Sequence, residues 1–257
     1  MNALQRRLEA ARIPVEPKRF DPHELENVPA PVRRYLGAVL EPGQPMIAAV
    51  DLRHAGTFRA DDASERWSSF RSSQRTVTRR PGFVWDALIW MTPGVPIRVH
   101  DAYVAGEGIL QAKLFGMLPV ASTRGTPELA EGELMRFLAE STWYPTALLP
   151  SQGVEWKPVD DRAARVTLRD GAASVTLEFR FQEDGLIDTV RAEARGRGVG
   201  REVVPTPWLG RFWDYAVRDG ARVPLQGEVA WVVEGKAEPY WRGRLTKLRY
   251  EFAEVAA

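Results

Sequence analysis

The sequence predicts an α+β protein of mainly antiparallel β structure: one large curved sheet, a half-barrel, wrapped around a central helix. Three observations predict it. From Met46 onward the apolar period is two over most of the chain, as half-buried strands require. Asp170-Gly171 and Asp184-Gly185 separate alternating segments at hairpin spacing. One long helical pattern, 128–142, interrupts the strands, and no βαβ alternation occurs, which argues against a Rossmann fold or a parallel barrel. Large antiparallel sheets curl, so the concave face is either covered by the helix or left as a pocket.

The chain has 257 residues, enough for a sizeable core. Apolar residues make up 44% and charged residues 27%, an ordinary globular composition. The net charge is +1, so no bulk field favours nucleic acid or an anionic membrane. With no Cys, disulfides, thiolate metal sites and a Cys nucleophile are excluded. The three histidines, His23, His54 and His100, are scattered and lack ligand spacing, so no metal and no cofactor is expected.

The first residues, MNALQRRLEAARIP, carry Arg6, Arg7, Glu9 and Arg12 and lack the apolar core of a signal peptide. A cytoplasmic location is the expectation. Leu4, Leu8 and Ile13 form a short apolar stripe. It suits a helix packed on its own domain better than a membrane anchor, because Glu9 interrupts the basic face. No window approaches the roughly 18 uncharged apolar residues of a membrane span.

Five prolines between Pro14 and Pro31 predict an extended arm. In residues 31–40, Val32, Tyr35, Leu36 and Val39 recur at helical spacing behind Pro31. Strands follow at 46–60, 66–79, 82–91, 97–104 and 109–118, with Asp61-Asp62-Ala63-Ser64 and Pro93-Gly94 as breaks. The segment 82–91 is apolar on both faces and reads as central. The segment 68–78 is polar, with Ser72, Gln74 and Thr76 beside Phe70. It reads as an edge strand or the lining of a polar cavity, and the edge is preferred. Thr126 caps the helix, Pro127 fits its first turn and Glu128 complements the dipole. Strands return at 166–175, 174–181, 186–196, 227–235 and 240–252, with a loop around Pro205 and Pro207. The count is about ten strands and three helices. The division predicted is an N-terminal helix and Pro-rich arm, 1–27, and a single curved-sheet domain, 28–257.

Glu133, Arg136 and Glu140 lie at i, i+3 and i+7, on one side of the helix. Trp143 and Tyr144 follow at its exit. The row is either a polar cluster inside the sheet, with Glu140 as ligand anchor or acid/base and Arg136 as its charge partner, or a structural ion-pair row. Asp101 and Tyr103 share a strand face, while His100 points to the other, so His100 and Asp101 form no dyad. Trp208 and Trp213, with Arg211, Asp214 and Tyr215, either cap a pocket or complete the core. Gly196, Gly198 and Gly200 lack the strand–turn–helix context of a phosphate loop, and GxSxG is absent.

The segments VPAPVRRYL (28–36), PGFVWDA (81–87), RVHDAYVAGEG (98–108), ELMRFLAESTWYPTALLP (133–150), PTPWLGRFWDY (205–215) and VPLQGEVAW (223–231) carry a resemblance. Together they resemble an uncharacterised bacterial family, domain of unknown function 6544, over residues 28–252. That resemblance implies no catalytic residues. Its strand-rich, one-helix layout is similar to the lipoprotein-carrier half-barrels, which hold acyl chains against a curved sheet.

Three functions follow, in order. The first is non-enzymatic binding of a lipid or another apolar small molecule between sheet and helix, with Arg136, Glu140, Trp143, Tyr144, Asp101, Tyr103, Trp208 and Trp213 as candidate contacts. The second is a scaffold without a ligand. The third is an enzyme using a Glu140/Arg136 pocket. Pocket polarity discriminates them.

Overall fold

The computed structural model describes residues 2–59, 66–92, 94–200 and 202–253; the expected breaks at Asp61–Ser64 and Pro93 lie outside them. One arm comprises β1 (Ile47–Phe58), β2 (Ser68–Val77), β3 (Gly82–Thr92), β4 (Val95–Val104), β5 (Glu107–Leu114) and β6 (Leu118–Arg124). The other comprises β7 (Glu155–Asp160), β8 (Ala163–Asp170), β9 (Ala173–Phe181), β10 (Ile187–Val199), β11 (Glu202–Arg218), β12 (Ala221–Val233) and β13 (Lys236–Phe252). All neighbours are antiparallel, and the order is β6-β5-β4-β3-β2-β1-β13-β12-β11-β10-β9-β8-β7. Each arm is thus a meander. The two join where β1 meets β13, with Val50 opposite Tyr250.

Between the arms lies α3 (Pro127–Glu140). The Thr126 side chain accepts the Leu129 N–H at 3.2 Å, and Pro127 occupies the first turn. Leu134, Phe137 and Leu138 are buried in the concave core. The helix packs against β4 and β5 of one arm and β9 and β10 of the other. It thereby lies across the concave face, between the two arms. Short 3-10 turns from Ser141 to Gln152 then tie the helix exit to the sheet. The Thr146 hydroxyl accepts the Ile47 N–H, the Trp143 indole donates to Pro224 O, and the Tyr250 hydroxyl donates to Trp143 O.

The two other helices close the remaining faces. From α2 (Ala30–Val39), Tyr35 lies 5.8 Å from the Phe181 ring, ring centre to ring centre. From α1 (Ala3–Ala11), Leu8 packs on Val77, Val84, Ala102 and Ile109, on the convex side of the first arm. Ion pairs Arg7–Glu107 and Arg75–Glu9 hold it there. Along β9, Val175, Leu177, Phe179 and Phe181 are buried while Ser174, Thr176 and Arg180 are exposed, which matches the alternation read from sequence.

Three expectations are corrected. The described residues hold thirteen strands, not about ten. The segment around Pro205 and Pro207 is part of β11, not a loop. Residues 202–207 of β11 run beyond the end of its pairing with β12, which begins at Trp208, so both prolines sit where the strand has one neighbour. The polar strand β2 is interior, between β1 and β3, not an edge. Its Ser72, Gln74 and Thr76 are buried; Gln74 bonds Glu140 and Arg136 of α3 and donates to the Thr76 hydroxyl, while the Ser72 hydroxyl has no partner.

Candidate functional site

The concave face keeps a cavity of about 390 Å³ between α3 and both arms. Its apolar wall comes mostly from rings. Trp85 stands on β3, Trp208 and Phe212 on β11, Trp231 on β12, Tyr240 and Trp241 on β13, and Phe58 on β1. Trp231 and Tyr240 stack at 5.7 Å, and the Trp208 indole donates to the Tyr240 hydroxyl at 2.9 Å. A volume of this size, apolar with a few convergent polar groups, matches small-molecule sites in general. A wider groove on the outer face, bordered by Arg53, Arg71, Asp86 and Arg98, lacks such a ring-lined wall.

The polar groups come from α3 and the facing strands. Arg136 donates through Nη1 to Asp101 Oδ2 at 2.6 Å, through Nε to Glu140 Oε1 at 2.7 Å and through Nη2 to Gln74 Oε1 at 3.2 Å. Gln74 in turn donates to Glu140 Oε2 at 2.6 Å. The Arg136 guanidinium lies 4.7 Å from the Phe83 ring centre and 5.0 Å from that of Trp85. From β10, across the same cavity, Arg195 donates to Glu133 Oε1 at 3.3 Å and lies 4.9 Å from the Trp208 ring. Gly132 makes room for it, since a Cβ there would stand 3.3 Å from Arg195 Nε.

Burial shifts these groups. Glu133 is pushed up to about 8, first by loss of water and then by the Asp101 charge, against the pull of Arg195 and Arg136. Arg136 is held charged far above the ordinary range: burial opposes its charge, but Glu140 and Asp101 outweigh it. His54 lies 4.6 Å from the Trp143 ring and is pushed down to about 3 by burial and by Arg136, so it is neutral. Five buried side-chain atoms at or beside the cavity have no hydrogen-bond partner: Asp101 Oδ1, Glu133 Oε2, His54 Nε2, and Nε and Nη2 of Arg59. Among the described residues no group of three or more acidic or His side chains is placed to hold a metal ion. Nor is any helix among them long and apolar enough to cross a membrane.

The structure brings Arg136, Glu140, Asp101, Trp143 and Trp208 together at this cavity. It does not bring the other three. Trp213 lies on the outer face of β11, 39% exposed, because residues 212 and 213 point to opposite sides and Phe212 takes the inner one. Tyr103 is fully buried away from the cavity and donates its hydroxyl to Asp170 at 2.9 Å. Tyr144 donates to Phe137 O at 2.6 Å and packs its ring on Phe137, which makes it part of the helix exit. Sequence reasoning missed Arg195, Trp231, Tyr240 and Trp241. The signal for Arg195 was Gly132, a glycine inside a helix, together with the small residues that flank Arg195 and Arg197. His100 points outward, 3.8 Å from Asp86, opposite to Asp101 as strand alternation requires.

Among solved structures the chain is similar to a LolA superfamily protein from Nitrosomonas europaea, at 12% identity and a TM-score of 0.34, covering 98% of this chain and 94% of that one. It is also similar to a β-barrel-like protein of domain of unknown function DUF1849 from Brucella abortus, at 14% identity and a TM-score of 0.24, covering 80% of this chain and 99% of that one. No curated protein matches it in sequence. The expected family number, 6544, is corrected by the family model that matches residues 26–250. The chain belongs to the family of unknown function DUF6920.

Proposed function

We propose that this protein binds a small amphiphilic molecule, without chemical turnover, in the cavity between the curved sheet and α3. One observation carries the reading: a cavity of about 390 Å³ whose wall is chiefly aromatic, while most of its charged atoms are already engaged with one another. Asp101 and Glu140 are both bonded to Arg136, so neither is free to act alone as a base. An apolar chain laid against the rings would remove their faces from water, the dominant favourable term for such ligands.

The test is titration with the neutral fluorophore N-phenyl-1-naphthylamine, read by energy transfer from the cavity tryptophans. Saturable binding at one site per chain is expected. Val229→Trp, which fills the cavity from β12, should weaken it by about tenfold or more while the chain stays folded. Fluorescence that never saturates, or that ignores Val229→Trp, overturns the reading.

A second reading is favoured by Glu133. Its buried Oε2 has no partner and its carboxyl keeps a proton near neutral pH, as a general acid must. The enzyme reading thereby moves from Glu140 to Glu133. Recovery of a bound compound chemically altered by wild type, but unaltered by Glu133→Gln, would favour it.

A further inference from the structure

The turn between β5 and β6 carries apolar side chains that neither local conformation nor packing explains. Phe115 and Gly116 are its central residues, with φ of 52° and 73°, and the Met117 N–H closes it on Leu114 O at 3.1 Å. Such a turn favours Asn, Asp or Gly, and a bulky side chain in the left-handed region is costly. Burial does not offset that cost, since the Phe115 side chain is half exposed. Met117, Leu118 and Val120 follow it into water; Met117, 76% exposed, is the most exposed large apolar side chain among the described residues. Grouped apolar exposure of this kind marks a contact surface. Charge says what meets it. The net charge of +1 is unevenly spread. From Gly108 to Pro127 the only charged residues are Lys113 and Arg124, and none is acidic. Lys113 opens a cross-strand row on the outer face: Arg98 is its neighbour, then Leu88, Arg71, Ala55 and Arg244, each opposite the last. In the next row Lys247, Arg53, Ser73 and Asp86 stand opposite one another in turn. Like charges directly opposite destabilise a sheet, and other outer positions pair opposite charges, as Arg75 with Asp51 and Arg165 with Glu178 do. Asp86 is the one acid among these positions, and Arg98 holds it through two hydrogen bonds of 3.0 and 2.5 Å. Among the described residues no carboxylate is in ion-pair reach of Lys113, Arg71, Arg244, Arg53 or Lys247.

Resting on the binding reading above, we infer that this hairpin docks the protein on an anionic phospholipid bilayer, from which the amphiphile passes to the cavity. Phe115, Met117 and Leu118 enter between the headgroups, and the unpaired cations of the outer face meet lipid phosphates. Apolar side chains beside cations suit the boundary between headgroups and acyl chains: the apolar groups leave water there, and each cation near the surface adds attraction. The stem of the same hairpin reaches the cavity, because Leu110 of β5 and its neighbour-strand residue Val99 line the cavity wall. A second copy of this chain, docked by the same patch, would bring the row of cations against its own image.

Flotation of the full chain with vesicles tests this, comparing phosphatidylcholine alone with phosphatidylcholine mixed with phosphatidylglycerol. Binding to the mixed vesicles is expected to be tighter by about tenfold or more, and to weaken as salt rises. Phe115→Ser, Met117→Ser and Leu118→Ser combined should cost about tenfold or more on mixed vesicles. The chain has no Cys, so Met117→Cys takes a single environment-sensitive label. Its emission should shift to the blue on mixed vesicles, while the same label on Ser174→Cys, exposed on β9, should not shift. The vesicle comparison is read on the wild-type protein, so it decides even if the triple variant fails to fold. Equal binding to the two vesicle types, an unshifted label at position 117, or mixed-vesicle binding untouched by the triple replacement overturns the inference. So does a dimer in sedimentation that the triple replacement dissolves, since the hairpin then belongs to a second copy. Titration with N-phenyl-1-naphthylamine in the absence of vesicles separates the two claims. Saturable binding without docking removes the bilayer and leaves the cavity reading standing; docking without saturable binding removes the cavity reading and leaves the hairpin as a membrane contact.

Discussion

Glu133 is the residue on which pH should act most directly. In the folded chain its carboxyl keeps its proton up to about pH 8, against an ordinary value of 4.5. The fold therefore binds a proton that the unfolded chain releases. The stability this contributes is fully present below about pH 4.5 and is lost as pH rises through about 8. Urea denaturation at pH 5 and pH 8.5 should show a fall on the order of a few kcal/mol from this group. Glu133→Gln should flatten it; an equal fall in the variant would contradict the assignment. The same scale separates the two faces of β9. Phe179 is fully buried with its ring 5.5 Å from Trp156, so Phe179→Ala should cost about 3–5 kcal/mol. Arg180 is exposed beside Asp160 and Glu178, and Arg180→Ala should change stability by about 0.5 kcal/mol or less. Equal denaturation midpoints would show that the faces are misassigned. Both outcomes for β9 were legible in the sequence, because a clean period of two fixes which side chains point inward.

At the scale of elements, α3 is held by charge as well as by apolar packing. Arg136 and Glu140 are about one-seventh exposed, and both contact β2 through Gln74. Arg136→Met should cost about 3–5 kcal/mol, because it strands Glu140 and Asp101 without their cation. Adding Glu140→Gln should restore part of that loss; additive single effects in a double-mutant cycle would mean the pair is not coupled. A second element feature lies where the arms join. Gly56 of β1 faces Gly243 of β13, and a Cβ on Gly243 would stand 2.2 Å from the Trp241 ring that lies over it. Gly243→Ala should displace that ring from the cavity wall, cost about 1–3 kcal/mol and weaken probe binding. Unchanged melting temperature and affinity would mean that Trp241 has room to move. The pair Arg136–Glu140 was legible because i,i+4 spacing is local. Arg195 was not assigned to the site, since it meets Glu133 across 62 residues of chain. Strand β11 was misread for a similar reason: the prolines argue locally for a loop, and the missing second neighbour that admits them is set by tertiary pairing.

The whole molecule is one meander cut and rejoined: the first strand pairs with the last, and the sheet's two free edges fall next to the helix in mid-chain. The curved antiparallel form was legible from the strand period and the single strong helix. The β1–β13 union was not, because no local pattern encodes a pairing between opposite ends of a chain. Its consequence for cooperativity is direct. The arms share the concave core through α3, and the Asp170 carboxylate at the end of β8 accepts from Arg80 at 2.6 Å and from Tyr103 of β4 at 2.9 Å, so residues of both arms also meet away from the β1–β13 seam. Residues 1–125 alone would expose the concave faces of β1–β5, including Val50, Leu52, Phe70, Phe83 and Trp85, and would leave β1 with an unpaired edge. Burial of those side chains is worth about 1.5–3 kcal/mol each, and the fragment has nothing to replace α3 or β13 against them. The full chain should therefore unfold in one transition, with tryptophan fluorescence and far-ultraviolet dichroism coinciding in denaturant. A protease site placed at Gly125, between β6 and α3, should yield a nicked protein whose halves stay associated until denaturant separates them. Neither half should refold alone at neutral pH. A stable, cooperatively folding fragment 1–125 would show instead that the seam between β1 and β13 divides two independent units.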